Sequence, residues 1–266
     1  MNSIPAITGW HWLKQGAGLF RKQPAALTTL LFANILISIG ISAVPLLGPM
    51  IAVVLIPSFS MAFMKACLMI ENGERVTPGV LLTGFRQPVV KDLCKVGLIY
   101  LAVSLLMAVI TRFAVDPGFW EQVARQGREG GQPQGGPPQV AGSDILAMFM
   151  IFGLDVAVLM SLCFAAPLTY WQKMTAGKAV FYSFFAVVRS ARVFIVLLLA
   201  WFAIFFGICM VITLLLGASN MTRVVIMWLI FLFILLLQCA MYVGYRQIFG
   251  KPVDGGQQTG GVNLTK

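Results

Sequence analysis

The stretch Val193-FIVLLLAWFAIFFGICMVITLL-Leu216 carries no charge and a single hydroxyl, Thr213. At 1.5 Å of rise per residue a helix over it reaches about 36 Å, more than the roughly 30 Å of bilayer hydrocarbon. It reads as a membrane crossing. Working outward, five more runs have the same character: Ala25 to Val44, Gly48 to Leu68, Val96 to Val115, Ile145 to Tyr170 and Val224 to Tyr245. Of the 266 residues 59% are hydrophobic and 11% charged, whereas a soluble domain has about half and about a quarter. A water-soluble globule is excluded. The predicted fold class is an all-α membrane protein of six transmembrane helices in three hairpins, with one integral domain over 1–252 and a disordered, Gly-rich tail over 253–266.

The first run is too long for the core of a signal peptide and lacks a small-residue cleavage site before Pro45, so a retained anchor is expected. Pro49 and Pro57 fall in the second run. A helix inside a bundle tolerates them when neighbours satisfy the freed carbonyls, and a kink is expected near Pro57.

Nineteen Lys and Arg against nine Asp and Glu give a net charge of +10. In a soluble chain that balance points to nucleic acid; here it reports topology, because the cations sit between the spans. Fifteen of the nineteen fall on one side, and only Arg112, Arg125, Arg128 and Arg223 fall on the other. The positive-inside rule then places both termini in the cytoplasm. The outer loop 116–143 contains the low-complexity run Gly127-REGGQPQGGPP-Gln139 and is expected to be a mobile tether, with Glu121 and Arg125 spaced for one helical turn.

Three cytoplasmic segments share a layout. Thr8-Gly9, Thr77-Pro78-Gly79 and Thr175-Ala176-Gly177 each open a short amphipathic helix that leads into a pair of crossings. The apolar positions are Trp10, Leu13, Ala17 and Phe20; Val80, Leu81, Gly84 and Phe85; and Val180, Phe181, Phe184 and Val187. Each helix is expected in the cytoplasmic interface, apolar face on lipid, with Trp10, Trp12 and Trp171 at headgroup depth and Arg21, Arg86 and Arg189 toward anionic headgroups. Ordinary loops with chance periodicity are the alternative.

Gly9-Trp10-His11-Trp12, Phe20-Arg21-Lys22-Gln23-Pro24, Pro57 and Gly84-Phe85-Arg86-Gln87-Pro88 resemble a family of proteobacterial six-helix inner-membrane proteins of unknown function. The likeness lies in the first third and in the general layout beyond. It implies a bacterial plasma membrane and transfers no mechanism.

One acid lies inside a crossing. Asp155 stands about ten residues into the fourth run, hence roughly 15 Å deep and near the midplane. A central Asp costs about 2.5 to 3.5 kcal/mol on insertion, which the apolar residues of that run offset. Gly153, Ala157 and Ser161 form a small-residue seam, and Asp155 points away from it. Its depth-matched candidate partners are Asn34 and Ser104, with Arg112 able to snorkel inward. A proton or ion site, a structural polar clamp and a neutral acid at a subunit interface remain three readings of it.

The remaining chemistry is sparse. The five cysteines form no CxxC pair and read as small apolar residues, and His11 has no second histidine with which to share a metal. No phosphate loop, GxSxG elbow, HExxH or paired carboxylates occur. No catalytic residue, metal or cofactor is predicted. The expected function is a non-enzymatic accessory or scaffold element. Its partners are anionic membrane lipid and a membrane protein or a second copy of the chain, with no nucleic acid. The alternative is a small transporter or channel subunit using Asp155.

Overall fold

The computed structural model describes residues 5–45, 47–85, 89–114, 142–217 and 219–252. Among them every regular element is helical. The order is α1 (Thr8–Lys22), α2 (Pro24–Ser42), α3 (Leu47–Glu71), a 3₁₀ helix (Pro78–Phe85), α4 (Val89–Ala114), α5 (Gly142–Leu162), α6 (Ala165–Trp171), α7 (Ala176–Arg189), α8 (Ala191–Leu216) and α9 (Asn220–Phe249). Six stretches are long and apolar enough to cross a bilayer: α2, α3, α4, residues 146–171 of α5 and α6, α8 and α9. They coincide with the six runs read from hydropathy. The outer-loop tether with Glu121 and Arg125, the tail after residue 252, and Arg86 lie outside the described residues.

Two features of the predicted crossings resolve differently. The fourth is broken at Cys163 and Phe164, where α5 hands over to α6. Pro167 explains the break, since it has no N–H to offer the carbonyl four residues back, at Cys163, and its ring crowds that carbonyl. The carbonyls freed nearby are taken up by other helices. Ser183 of α7 donates to the Ser161 carbonyl (2.6 Å) and accepts from the Phe164 N–H (3.2 Å), and Tyr100 of α4 donates to the Leu162 carbonyl (2.8 Å). Pro57, by contrast, sits buried inside an α3 that is helical from end to end.

The three short segments are not equivalent. The first and third are α-helices, while the second is a 3₁₀ helix. The expected threonine caps do not form: Thr8 is already helical, and Thr175 occupies the N-cap of α7 without a side-chain bond. A side-chain cap is made instead at α9, where Ser219 Oγ accepts from the Thr222 N–H at 3.2 Å.

Each short helix packs onto the second span of the pair before it, in cyclic order, and each contact joins two small residues. A Cβ on Gly16 of α1 would lie 2.6 Å from the Ala240 nitrogen of α9, and one on Gly84 of the 3₁₀ helix would lie 2.7 Å from the Ser58 carbonyl of α3. The third contact is Ser183 of α7 on Ser161 of α5. Small residues at these points let backbones approach, which is how helices associate where lipid supplies no hydrophobic drive.

The packed core therefore gathers at one end of the bundle. Buried side chains occupy 57–70 of α3, 93–100 of α4, 162–169, 193–197 of α8 and 233–245 of α9, together with α1. The opposite halves present apolar side chains outward, among them Leu36, Phe113, Phe149, Leu215 and Met221. In water these would be a liability; in hydrocarbon they are the solvent-facing surface.

Candidate functional site

Asp155 is half-buried in α5 and makes no hydrogen bond among the described residues. None of its expected partners reaches it. Asn34 lies on α2, whose principal neighbours are α3, the 3₁₀ helix and α9, whereas α5 packs on α7 and α4. The Asn34 carboxamide oxygen is buried without a partner. Ser104 and Arg112, on α4, are exposed. Among the described residues, the polar clamp around Asp155 is not assembled.

The interfacial anchors divide. Trp10 is 42% exposed, and Arg21 and Arg189 are exposed as well. Trp12 is fully buried, and this corrects the lipid-facing role expected for it. Its indole meets Phe194 edge-on at a centroid distance of 5.4 Å, lies against Gly244, and donates from Nε1 to Gln247 Oε1 at 2.5 Å. The buried stripe of α1 runs through Thr8, Gly9, Trp12, Leu13, Gly16 and Leu19, one position round from the predicted stripe of Trp10, Leu13, Ala17 and Phe20. The apolar face of α1 rests on α9 and α8 rather than on lipid. Trp171 is half-buried against Tyr245 (5.2 Å), its indole nitrogen buried without a partner.

The densest polar constellation is one that hydropathy does not reveal. Glu71, at the last turn of α3, accepts from the Tyr242 hydroxyl at 2.5 Å and forms an ion pair with the Arg246 guanidinium, both on α9. Arg246 also donates to Gln15 Oε1 of α1 at 3.0 Å. One turn before Glu71 the Cys67 thiol faces the Cys239 thiol at 3.7 Å. Gln23, between α1 and α2, donates to the Glu74 carbonyl (2.7 Å) and accepts from the Val76 N–H (3.1 Å). These contacts tie the first, second and last parts of the chain together at the packed end. The available signal was Glu71 itself, an acid on the side that holds fifteen of the nineteen cations.

The α7 helix has three faces. Ala176, Ala179, Ser183 and Val187 are buried, and Phe181 and Phe184 point outward at 60% and 47% exposure. On the flank between them Lys178, Tyr182, Phe185 and Arg189 form an exposed stripe. Of its predicted apolar face, Phe181 and Phe184 are turned out, Val180 is half-buried and Val187 is buried.

These features define a six-span, all-helical membrane protein with a packed basic end. No family model matches the chain, and no solved structure matches it. It is similar to a probable inner membrane protein of Burkholderia thailandensis, with 32% identity over 259 residues covering 95% of this chain and 94% of the relative. The chain belongs to that family of inner-membrane proteins.

Proposed function

We propose that this protein is a non-enzymatic accessory or scaffold element of the inner membrane, oriented with both termini in the cytoplasm and working through its packed basic end. The observation that carries this reading is the coincidence of two properties. The end where side chains interlock is also the end that presents Lys14, Arg21, Lys22, Arg75, Lys178 and Arg189 as exposed cations. A rigid, cationic platform suits anionic headgroups and an acidic face of a membrane-protein partner or a second copy. Each base near the surface contributes about 1 kcal/mol of attraction to an anionic leaflet.

Two experiments test it. A reporter fused after Lys266 must report the cytoplasm, and one inserted within 116–141 must report the outside; the reverse pattern removes the orientation. Crosslinking and co-purification from native membranes should capture a partner or a second copy, and joint Arg21→Glu and Lys22→Glu substitutions should release it. A chain captured alone, or one whose partner is indifferent to charge reversal, defeats the platform reading.

A transporter subunit is the second reading, favoured by Asp155, a half-buried acid within a span and without a hydrogen bond among the described residues. An acid so placed is a functional candidate because its charge requires compensation. Asp155→Asn in proteoliposomes should then abolish proton-coupled flux, and flux that is unchanged removes this role.

A further inference from the structure

We propose that the groove between α4, α5 and α7 is a binding site for one anionic phospholipid, its acyl chain lying in the groove and its phosphate at Lys178. The groove has a volume of about 460 Å³, and its walls include Val103 of α4, Val158 and Leu162 of α5, and Gly177, Val180 and Phe181 of α7. The hydroxyl at its edge, Ser161 Oγ, is already donated to the Ala157 carbonyl at 2.8 Å. The walls therefore ask for hydrocarbon.

A cation that adjoins two wall residues supplies the second half of the recognition. Lys178 follows Gly177 directly and stands one turn before Phe181, exposed and without an ion pair among the described residues. It begins the exposed stripe of Lys178, Tyr182, Phe185 and Arg189, on the flank of α7 that adjoins the wall residue Phe181. Lysine stems lie along apolar surface while the ammonium stays at the polar boundary. Because α4 and the stretch that contains α5 are long and apolar enough to be bilayer spans, a groove between them and α7 is within reach of membrane lipid. The molecule there that joins a long hydrocarbon chain to an anionic head is a phospholipid, and cations at this boundary attract such heads.

The structure also supplies a clean way to block the site. A Cβ on Gly177, a wall residue of the groove, meets nothing within 4 Å, so Gly177→Leu introduces a side chain at the groove with no clash at its Cβ. The full chain is purified in mild detergent, washed extensively, and its lipid quantified by mass spectrometry. The wild type should retain phosphatidylglycerol in preference to phosphatidylethanolamine. Lys178→Gln should bind it about fivefold more weakly, the loss of one headgroup cation, and Gly177→Leu should lose it altogether. Thermal unfolding should rise on adding phosphatidylglycerol to the wild type and stay flat in Gly177→Leu, because only a ligand bound to the folded state shifts that equilibrium. Unfolding curves without lipid show that each variant is folded. The proposal is overturned if wild-type lipid is no greater than that of empty micelles, if both variants retain as much as the wild type, or if phosphatidylethanolamine is retained equally. It does not depend on the accessory role above: a wild-type chain that keeps its lipid but is captured without any partner would end that role and leave this site standing.

Discussion

Gly16 of α1 and Ala240 of α9 touch backbone to backbone, with room for no atom beyond the glycine hydrogens: a Cβ at Gly16 would come within 2.6 Å of the Ala240 nitrogen and 2.9 Å of its Cα. The contact locks the N-terminal helix antiparallel along the last span, a relation continued by Trp12 against Gly244. Gly16→Val should therefore cost about 1 to 3 kcal/mol or more by overpacking, since both obstacles are backbone. Gly18, two residues on, has nothing within 4 Å of its Cβ position. Gly18→Ala should raise stability by about 0.5 to 1 kcal/mol through helix propensity alone. Thermal unfolding of the two variants in detergent measures the contrast, and equal effects would remove the close-packing explanation.

The two neighbouring tryptophans should separate in the same assay. Trp12 is fully buried, and Trp12→Ala should cost about 3 to 5 kcal/mol. Trp10→Ala should change unfolding by no more than about 0.5 kcal/mol, because its side chain is largely outside the packed core. Trp12→Phe, which keeps much of the ring but drops the donor to Gln247, should fall between them.

Glu71 and Arg246 should be coupled. The pair joins α3 to α9 at the edge of the core, with side-chain exposures of 17% for Glu71 and 32% for Arg246. A double-mutant cycle of Glu71→Gln and Arg246→Met should give a coupling of about 1.5 to 3 kcal/mol, the range for hydrogen bonds to charged groups. Strictly additive losses would mean that the ion pair does not hold the helices together.

Cys67 and Cys239 should crosslink on treatment with a membrane-permeant oxidant. Their sulfurs stand 3.7 Å apart, and a disulfide needs about 2.05 Å, a closure within reach of small side-chain rotations. Peptide mass spectrometry should find α3 joined to α9, and Cys67→Ser should abolish that product. A dominant crosslink through Cys209 instead would contradict the register of the two helices.

How much of this was readable in advance depends on the range of the interaction concerned. Positions 193 to 216 have to be helical and apolar because hydrocarbon satisfies no backbone group, so each crossing announces itself within its own window of residues. The six spans follow from that local rule, as does the gathering of cations on one side. The break at Cys163 and Phe164 had a local cause in Pro167, but a proline in a span is often tolerated without a break, as Pro57 shows in α3. Which outcome prevails rests on whether distant side chains, here Tyr100 and Ser183, arrive to take the freed carbonyls.

The site residues show the same division more sharply. Asp155 was conspicuous because an acid inside an apolar run is costly wherever it lies, yet its neighbours could not be named, and Asn34, Ser104 and Arg112 turned out not to meet it. Trp12 looked interchangeable with Trp10, since an indole suits both a headgroup region and a protein core. Its burial against Phe194 and Gly244, like the union of Glu71 with Arg246, joins parts of the chain more than 170 residues apart. Hydropathy is a property each residue carries with it, and it settled where lipid is the solvent. Partnership is a property of two backbones brought to touching distance, and for this chain it depended on the small residues Gly16, Gly84 and Ser183 meeting Ala240, Ser58 and Ser161.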